Sequence, residues 1–278
     1  MSKWNLIIDV AECTNCNNCT LAAMDEYIGN DWPGYSAPMP KHGHKWINIL
    51  QKERGQTPVM DVAYMPTLCN HCDNAPCIKA SGGAITKRDD GIVLIDPEKA
   101  KGREDLVEAC PYGHIWWNEE LQIPQAWTFD AHLLDQGWTK TRGEQVCPTG
   151  AMRAVKVDDA EMARLVERDA LEVLQPELGT KPRVWYRNLW RYSTSFIAGS
   201  VSADAGGKVD CVEGAKVTLA KDGAKIADAV TDNYGDFKFD RLEDGSGAYS
   251  IEIAADGHPA KTVEATLGES LYLGEIRL

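Results

Sequence analysis

Short alternating runs of apolar and polar residues dominate the last third of the chain. They occupy residues 214–219, 229–239, 248–253 and 271–278, and Gly, Asn and Asp separate them. Alternation with a period of two is typical of strands with one buried face, and these separators favour tight turns. The region from residue 197 onward is therefore predicted to be a small antiparallel all-β domain.

The pattern before residue 197 is different. An apolar run at residues 6–10 predicts a strand. Further on, Asp158 is a favourable N-cap residue, and Leu165 and Val166 follow Met162 at spacings of three and four. This spacing places the three side chains on one stripe and predicts a helix that packs on the N-terminal part of the chain.

Eight of the nine cysteines fall into two matched groups, each a tight triplet and a distant Cys-Pro. In two-cluster ferredoxins, a C-x2-C-x2-C run supplies three ligands of a 4Fe–4S cluster, while the fourth cysteine of the run binds the other cluster. A triplet therefore needs a distant partner. The triplets are Cys13, Cys16, Cys19 and Cys69, Cys72, Cys77, and the single cysteines are Cys110 and Cys147.

Positions without cysteine determine the pairing. Ala23 and Ser81 stand where the two triplet runs would continue, and the runs expected before Cys110 and Cys147 are also missing. In ferredoxins the fourth cysteine of each run binds the other cluster. Ala23 and the missing run before Cys147 then belong to one lost cluster, and Ser81 and the missing run before Cys110 to another, so no ligand is left over. We therefore predict two 4Fe–4S clusters, one held by Cys13, Cys16, Cys19 and Cys147, the other by Cys69, Cys72, Cys77 and Cys110.

Zinc is the alternative for the cysteines. Zinc sites usually use two close Cys pairs, or one pair with a His-x3–5-His, so triplets with a remote Cys-Pro favour iron–sulfur. The ninth cysteine, Cys211, is predicted to be a small buried apolar residue. His42 and His44 are interpreted as loop residues, and His71 as a residue that shapes the surroundings of the second triplet.

Charge and hydropathy bear on partners and compartment. The net charge of −13 argues against nucleic acid and against adhesion to an anionic membrane. No apolar run approaches the roughly 20 residues of a membrane-spanning helix. The first residues do not read as a secretory signal, so a cytoplasmic location is expected.

The segment 181–196 is basic and aromatic. Arginine and aromatic residues are enriched at the cores of protein interfaces. The same residue types also brace neighbouring parts of one chain, so partner binding and an internal brace both stay open. The residues concerned are Arg183, Arg187, Arg191, Trp185, Tyr186, Trp190 and Tyr192.

Several runs, together with the cysteine arrangement, are similar to a known family. They lie at residues 31–35, 91–102, 110–113 and 177–184. With them, the chain resembles the iron–sulfur subunits of the dimethyl sulfoxide reductase superfamily, in particular pyrogallol–phloroglucinol transhydroxylase small subunits. Residues 231–237 resemble transthyretin-like or carboxypeptidase-regulatory-like β-sandwiches. The expected fold class is α+β: a ferredoxin-like domain at 1–157, a helix and basic-aromatic arm at 158–196, and the sandwich at 197–278.

The resemblance implies a division of labour. A large partner subunit, forming a heterodimer with this chain, would hold a bis-molybdopterin guanine dinucleotide cofactor and act on trihydroxybenzenes. This chain would carry electrons and contribute no catalytic residues. A phenol hydroxylase of the resorcinol type, and a scaffold stabilised by clusters or zinc without electron traffic, are the alternatives.

The resemblance also implies a departure from the family. Its transhydroxylase members carry three clusters, and four residues of this chain stand where ligands of one cluster would be. We expect Trp127 to be buried in that space and Asp130 to turn towards solvent. The cluster of Cys147 would face the large subunit. The four replacing residues are Ala23, Trp127, Asp130 and Gly143.

Overall fold

The chain forms two compact units of mixed helix and strand, with strands predominating. The computed structural model describes residues 1–278, with the side chains of residues 1–204 and 206–278. The first unit comprises Met1–Leu50 and Tyr64–Leu189, and the second comprises Gln51–Ala63 and Trp190–Leu278. The second unit thus includes a piece of the N-terminal half as well as part of the basic-aromatic segment.

The first unit combines short helices and strands with long connecting loops. Strands β2 and β3 pair as a hairpin whose tip belongs to the second unit. In chain order the elements are β1 (Lys3–Asp9), α1 (Asn18–Tyr27), β2 (Ile47–Gln56), β3 (Val59–Leu68), α2 (Pro76–Ala80), β4 (Ile85–Lys87), β5 (Val93–Ile95), α3 (Asp105–Glu108), β6 (Trp116–Asn118), β7 (Ile123–Gln125), α4 (Ala131–Asp135), α5 (Arg142–Val146), β8 (Met152–Val157), α6 (Asp159–Asp169), a 3₁₀ turn (Pro176–Leu178) and β9 (Val184–Arg187).

Strand β1 is the centre of a three-stranded sheet. It pairs antiparallel with β8 and parallel with β9. Helix α6 begins after Asp158, whose side chain accepts a hydrogen bond from the backbone N–H of Glu161 at 2.8 Å. Its apolar stripe, Met162 and Leu165, packs with Ile7 of β1. The predicted N-terminal strand and the predicted capped helix are both confirmed.

The second unit is almost entirely β-structure. Its elements after the hairpin tip are α7 (Trp190–Ser193), β10 (Thr194–Ala205), β11 (Lys208–Cys211), β12 (Lys216–Lys221), β13 (Ala224–Val230), β14 (Asp236–Glu243), β15 (Gly247–Ala254), β16 (Lys261–Leu267) and β17 (Leu271–Arg277). One sheet has β10 paired with β11, β14 and β17, and the other has the order β13-β12-β15-β16.

Both sheets contribute to one hydrophobic core, which makes this unit a β-sandwich. Val201 and Phe237 from the first sheet lie in the same buried cluster as Val217 and Ile251 from the second. The prediction for Cys211 is wrong: it lies at the end of the short strand β11 and is exposed. Its neighbours in β11 are exposed as well, so the strand buries little.

A buried arginine holds the hairpin tip within the second unit. The side chain of Arg54 is fully buried and its guanidinium pairs with Asp61 at 3.1 Å and with Asp240. The same guanidinium lies over the rings of Trp190 and Phe196, 5.7 and 5.2 Å from their centroids. A buried charge needs such partners, so the tip is fixed by a specific set of contacts.

Candidate metal centres

The first predicted ligand set surrounds one cavity. Three of its cysteines come from the loop after β1 and the first turn of α1, and the fourth follows α5. Asn15 and Asn17 adopt left-handed backbone conformations, with φ of 56° and 60°, which Asn tolerates better than most residues. These two turns fold the loop around the cavity. The cysteines brought together are Cys13, Cys16, Cys19 and Cys147.

The second predicted set surrounds a separate cavity. The loop after β3, helix α2 and the loop after α3 supply its cysteines. Apolar side chains such as Ile85, Val93 and Ile115 complete the lining. The cysteines brought together are Cys69, Cys72, Cys77 and Cys110.

The described thiols of each set do not converge on a site for a single ion. A single zinc ion binds each sulfur at about 2.3 Å, which draws four sulfurs into contact around it. Here each set of four lines its own cavity. Among the described side chains, no three Cys, His, Asp or Glu converge closely enough to hold one ion. Each set therefore fits a 4Fe–4S cluster.

The thiols differ in their electrostatic surroundings. Burial raises the pKa of Cys19, Cys72 and Cys77 to about 11 in each case. For Cys147 burial acts in the same direction, but hydrogen bonds from Thr149 and from nearby backbone N–H groups outweigh it and lower the pKa. Cysteine binds metal as the thiolate, so loading must release protons from the buried thiols.

A lysine lies beneath the loop of the second set. The Nζ atom of Lys87 donates to the carbonyl oxygens of His71, Cys72 and Gly91 at 2.8, 3.2 and 2.7 Å. It also lies 3.0 Å from a carboxylate oxygen of Asp73. Lys87 was not predicted from the sequence, because a lone lysine in a short strand carries no signal of where its amine points.

Two histidines that were not expected to bind metal have structural contacts. His71 is buried, and its Nδ1 accepts a hydrogen bond from the backbone N–H of Val93 at 3.0 Å. Burial lowers the pKa of His71 to about 3, so its ring stays neutral. The ring of His44 is hydrogen-bonded to the carbonyl of Trp117 at 2.8 Å. These contacts agree with the interpretation of both rings as structural.

Trp127 and Asp130 form part of a buried block. Trp127 is buried as predicted, and its ring stacks on Phe129 at a centroid distance of 4.9 Å. The expectation for Asp130 is wrong, because only 1% of it is exposed. Its carboxylate accepts hydrogen bonds from Tyr27 Oη (2.7 Å), Trp127 Nε1 (3.0 Å) and the N–H of Arg142 (2.7 Å). These donors satisfy the carboxylate inside the unit.

Ala23 and Ser81, which end the two triplet runs, are also buried. The hydroxyl of Ser81 donates to the carbonyl of Ile78 at 2.9 Å and accepts from the N–H of Gly83 at 3.3 Å. Both positions therefore serve the packing of the unit.

Much of the basic-aromatic segment contacts its own unit. Within the first unit Arg183 is buried and pairs with Asp73 and with Asp159, the latter at 2.9 Å. Tyr186 is buried and donates to the carbonyl of Pro66 at 3.0 Å. These contacts favour the interpretation of the segment as an internal brace. Arg187 is the exception, because its side chain is more than half exposed.

A family described as a 4Fe-4S dicluster domain matches residues 60–157, which contain five of the eight proposed ligands. Over the part of the chain that the structure describes, no helix is both long and apolar enough to cross a bilayer.

Relatives extend this match to the whole chain. The pyrogallol hydroxytransferase small subunit of Pelobacter acidigallici is 45% identical, over 100% of both chains. A tetrathionate reductase subunit of Salmonella typhimurium is 32% identical over 67% of this chain and 73% of its own length. The arsenate respiratory reductase iron-sulfur subunit of a Shewanella species is 26% identical over 70% and 100%, respectively. The chain therefore belongs to the family of iron–sulfur small subunits in the dimethyl sulfoxide reductase superfamily that includes the pyrogallol hydroxytransferase small subunit.

Proposed function

We propose that the chain is the electron-transfer small subunit of a molybdopterin-dependent hydroxytransferase that acts on trihydroxybenzenes of the pyrogallol and phloroglucinol type. The observation that carries this proposal is the 45% identity to a pyrogallol hydroxytransferase small subunit over the full length of both chains. The two cavities lined by four cysteines each support the electron-transfer role.

Each cavity would hold one 4Fe–4S cluster. When bound, such a cluster accepts and releases single electrons at a potential set by charge, hydrogen bonding and exposure. The chain supplies four thiolates to each cluster, and apolar side chains around the second cavity limit access of water. The ligands are Cys13, Cys16, Cys19 and Cys147 for the first cluster, and Cys69, Cys72, Cys77 and Cys110 for the second.

The catalytic chemistry would take place on a partner. A large subunit carrying bis-molybdopterin guanine dinucleotide would complete a heterodimer, located in the cytoplasm. The proposal gives this chain no catalytic residue, since the described cavities with four thiols are explained by cluster ligation. The β-sandwich would belong to the transthyretin-like or carboxypeptidase-regulatory-like type, which residues 231–237 resemble.

A phenol hydroxylase of the resorcinol type is the second candidate. In that reaction two electrons leave the complex, so one cluster must lie close to the surface. Cys16 is exposed at the first cavity, so the first cluster would lie close to the surface of the isolated chain. The redox-neutral hydroxytransferase has no such requirement, and the identity to a hydroxytransferase small subunit favours it.

An assay of the native complex separates these candidates. The complex is purified anaerobically through a tag on this chain and incubated with pyrogallol or resorcinol, with and without an artificial electron acceptor. The proposal expects conversion of pyrogallol without any acceptor. Turnover that depends strictly on the acceptor would support the hydroxylase. A complex without redox-active iron, in which the partner keeps full activity, would leave only the scaffold.

A further inference from the structure

Three arginines from three separate elements of the first unit line one open groove. They are Arg153 of β8, Arg168 near the end of α6 and Arg187 at the end of β9. Their side chains are 51%, 63% and 55% exposed. In a chain with a net charge of −13, such a concentration of exposed positive charge stands apart from the average surface.

Two aspartates hold these arginines without using all of their donors. Arg168 donates to both carboxylate oxygens of Asp169, at 2.8 and 2.7 Å. Arg153 lies 4.0 Å from Asp169 and Arg187 lies 3.8 Å from Asp9, both longer than a hydrogen bond. The pKa of Asp169 is lowered mainly by Arg168, and the charges of Arg187 and Arg153 add to the effect. The groove is therefore positive by one charge.

The groove adjoins the first candidate cluster site. Gly150 and Ala151 line the groove, and Ala151 also lines the cavity that contains Cys147. Gly150 is exposed, so this loop is accessible from outside the unit. Any protein segment seated in the groove would lie beside the loop that carries Cys147.

From this placement, and resting on the proposed electron-transfer function, we infer that the groove next to the first cluster site docks an acidic segment of the catalytic partner. A guanidinium fork binds a carboxylate through two parallel hydrogen bonds, and arginine is enriched at interface cores. Opposite charge also steers two proteins into a defined orientation, while the acidic remainder of this chain repels an acidic partner. Arginines spread over three elements suit an extended segment with several carboxylates better than one small anion.

The test uses the purified complex of this chain with its catalytic partner. Arg153→Gln and Arg187→Gln are introduced together, and the dissociation constant is measured across a series of salt concentrations. We expect about tenfold weaker association at low salt and a shallower dependence of affinity on salt. Arg164→Gln is the matched control, because Arg164 is also exposed on α6 but pairs with Glu161 away from the groove. Its affinity should equal that of the wild type.

Iron content and phosphate binding separate the possible failures. If the double variant keeps its iron, its affinity and its salt dependence, the groove is not the docking site, although the electron-transfer function stands. If inorganic phosphate binds the wild-type chain but not the double variant, and association is unchanged, the groove is a small-anion site and the proposal is wrong. If the wild-type chain holds no iron, the proposed function itself fails.

Discussion

The positive charge of Lys87 lies directly against the loop that carries Cys69 and Cys72. Its amine donates to the carbonyls of His71 and Cys72. A cluster becomes more negative when it is reduced, so a nearby cation favours reduction. Replacing Lys87 by methionine should therefore lower the reduction potential of the second cluster by tens of millivolts, on the order expected for a partly paired charge.

Lys87→Arg is the matched variant for this prediction, because it keeps the charge and should stay near the wild-type potential. A redox titration followed by paramagnetic resonance reports both clusters separately. The first cluster should not shift in either variant. Equal shifts of both clusters, or unchanged potentials in a Lys87→Met protein with full iron, would show that Lys87 has no selective effect.

A second residue-scale prediction concerns Asp130. It accepts hydrogen bonds from three donors, so Asp130→Asn points an amide N–H₂ at one of them and should cost about 1–3 kcal/mol. Burial raises the pKa of Asp130 above its ordinary 3.8. The protonated carboxyl group of Asp130 therefore contributes to the free energy of unfolding. This contribution is fully present below about pH 4 and is lost as the pH rises through the raised pKa.

The measurement is the unfolding free energy of wild type and Asp130→Asn between mildly acidic and neutral pH. The advantage of the wild type should shrink as the pH rises, because the asparagine does not titrate. A difference that stays constant with pH would mean that Asp130 does not titrate in that range.

The metal ligands could be predicted from the sequence, because their assignment depends on the spacing of cysteines along the chain. The eight cysteines separated into two sets because ligand spacing is written directly in the chain. The surroundings of these cysteines were not readable. Lys87 and the arginines of the groove reach their sites only through folding. One of the three donors to buried Asp130, Tyr27, lies more than 100 residues away in the chain.

Among the elements, only some strands of the sandwich could be predicted from the alternation of apolar and polar residues. Strands β12, β15 and β17 were predicted because their inward residues are large and apolar. Strand β13 was largely missed: its half-buried inward residues Ala227 and Ala229 are small, while Ile226 and Val230 face outward and are exposed. In this edge strand the larger apolar residues face solvent and the small ones face the core, so the sequence does not show which face is buried.

The contacts of Arg54 at the tip of the β2–β3 hairpin are predicted to stabilise the second unit. Arg54 is fully buried between two rings and two carboxylates, so Arg54→Met leaves Asp61 and Asp240 without their buried partner. Because Arg191 and Lys238 still pair with these two aspartates, which are about a quarter exposed, the expected loss is about 1–3 kcal/mol. The change should lower the unfolding free energy of the second unit by that amount, measured by urea unfolding.

Lys225→Met is the control for this experiment, because Lys225 forms an exposed pair with Asp228 on the same unit. Such surface pairs contribute at most about 1 kcal/mol. If Arg54→Met is no more costly than Lys225→Met, Arg54 does not fix the hairpin tip.

In the whole molecule, the proposed ligand pairing means that replacing one cysteine should remove one cluster and spare the other. Cys147→Ser should abolish the first cluster and leave the second, because the cavities of the two sets share no cysteine. Cys110→Ser should do the reverse. Each variant is expected to retain roughly half of the iron, as one 4Fe–4S cluster of two is lost. Paramagnetic resonance of the reduced proteins should show a different remaining signal in each. Loss of the same signal in both variants would overturn the pairing.

Iron and acid-labile sulfide per chain give the number of clusters. On anaerobically purified protein we expect about eight iron atoms and about eight sulfides per chain, as two 4Fe–4S clusters require. A value near twelve would contradict it, since a third cluster would then be bound despite the buried Trp127 and Asp130. A value near zero with bound zinc would contradict it equally.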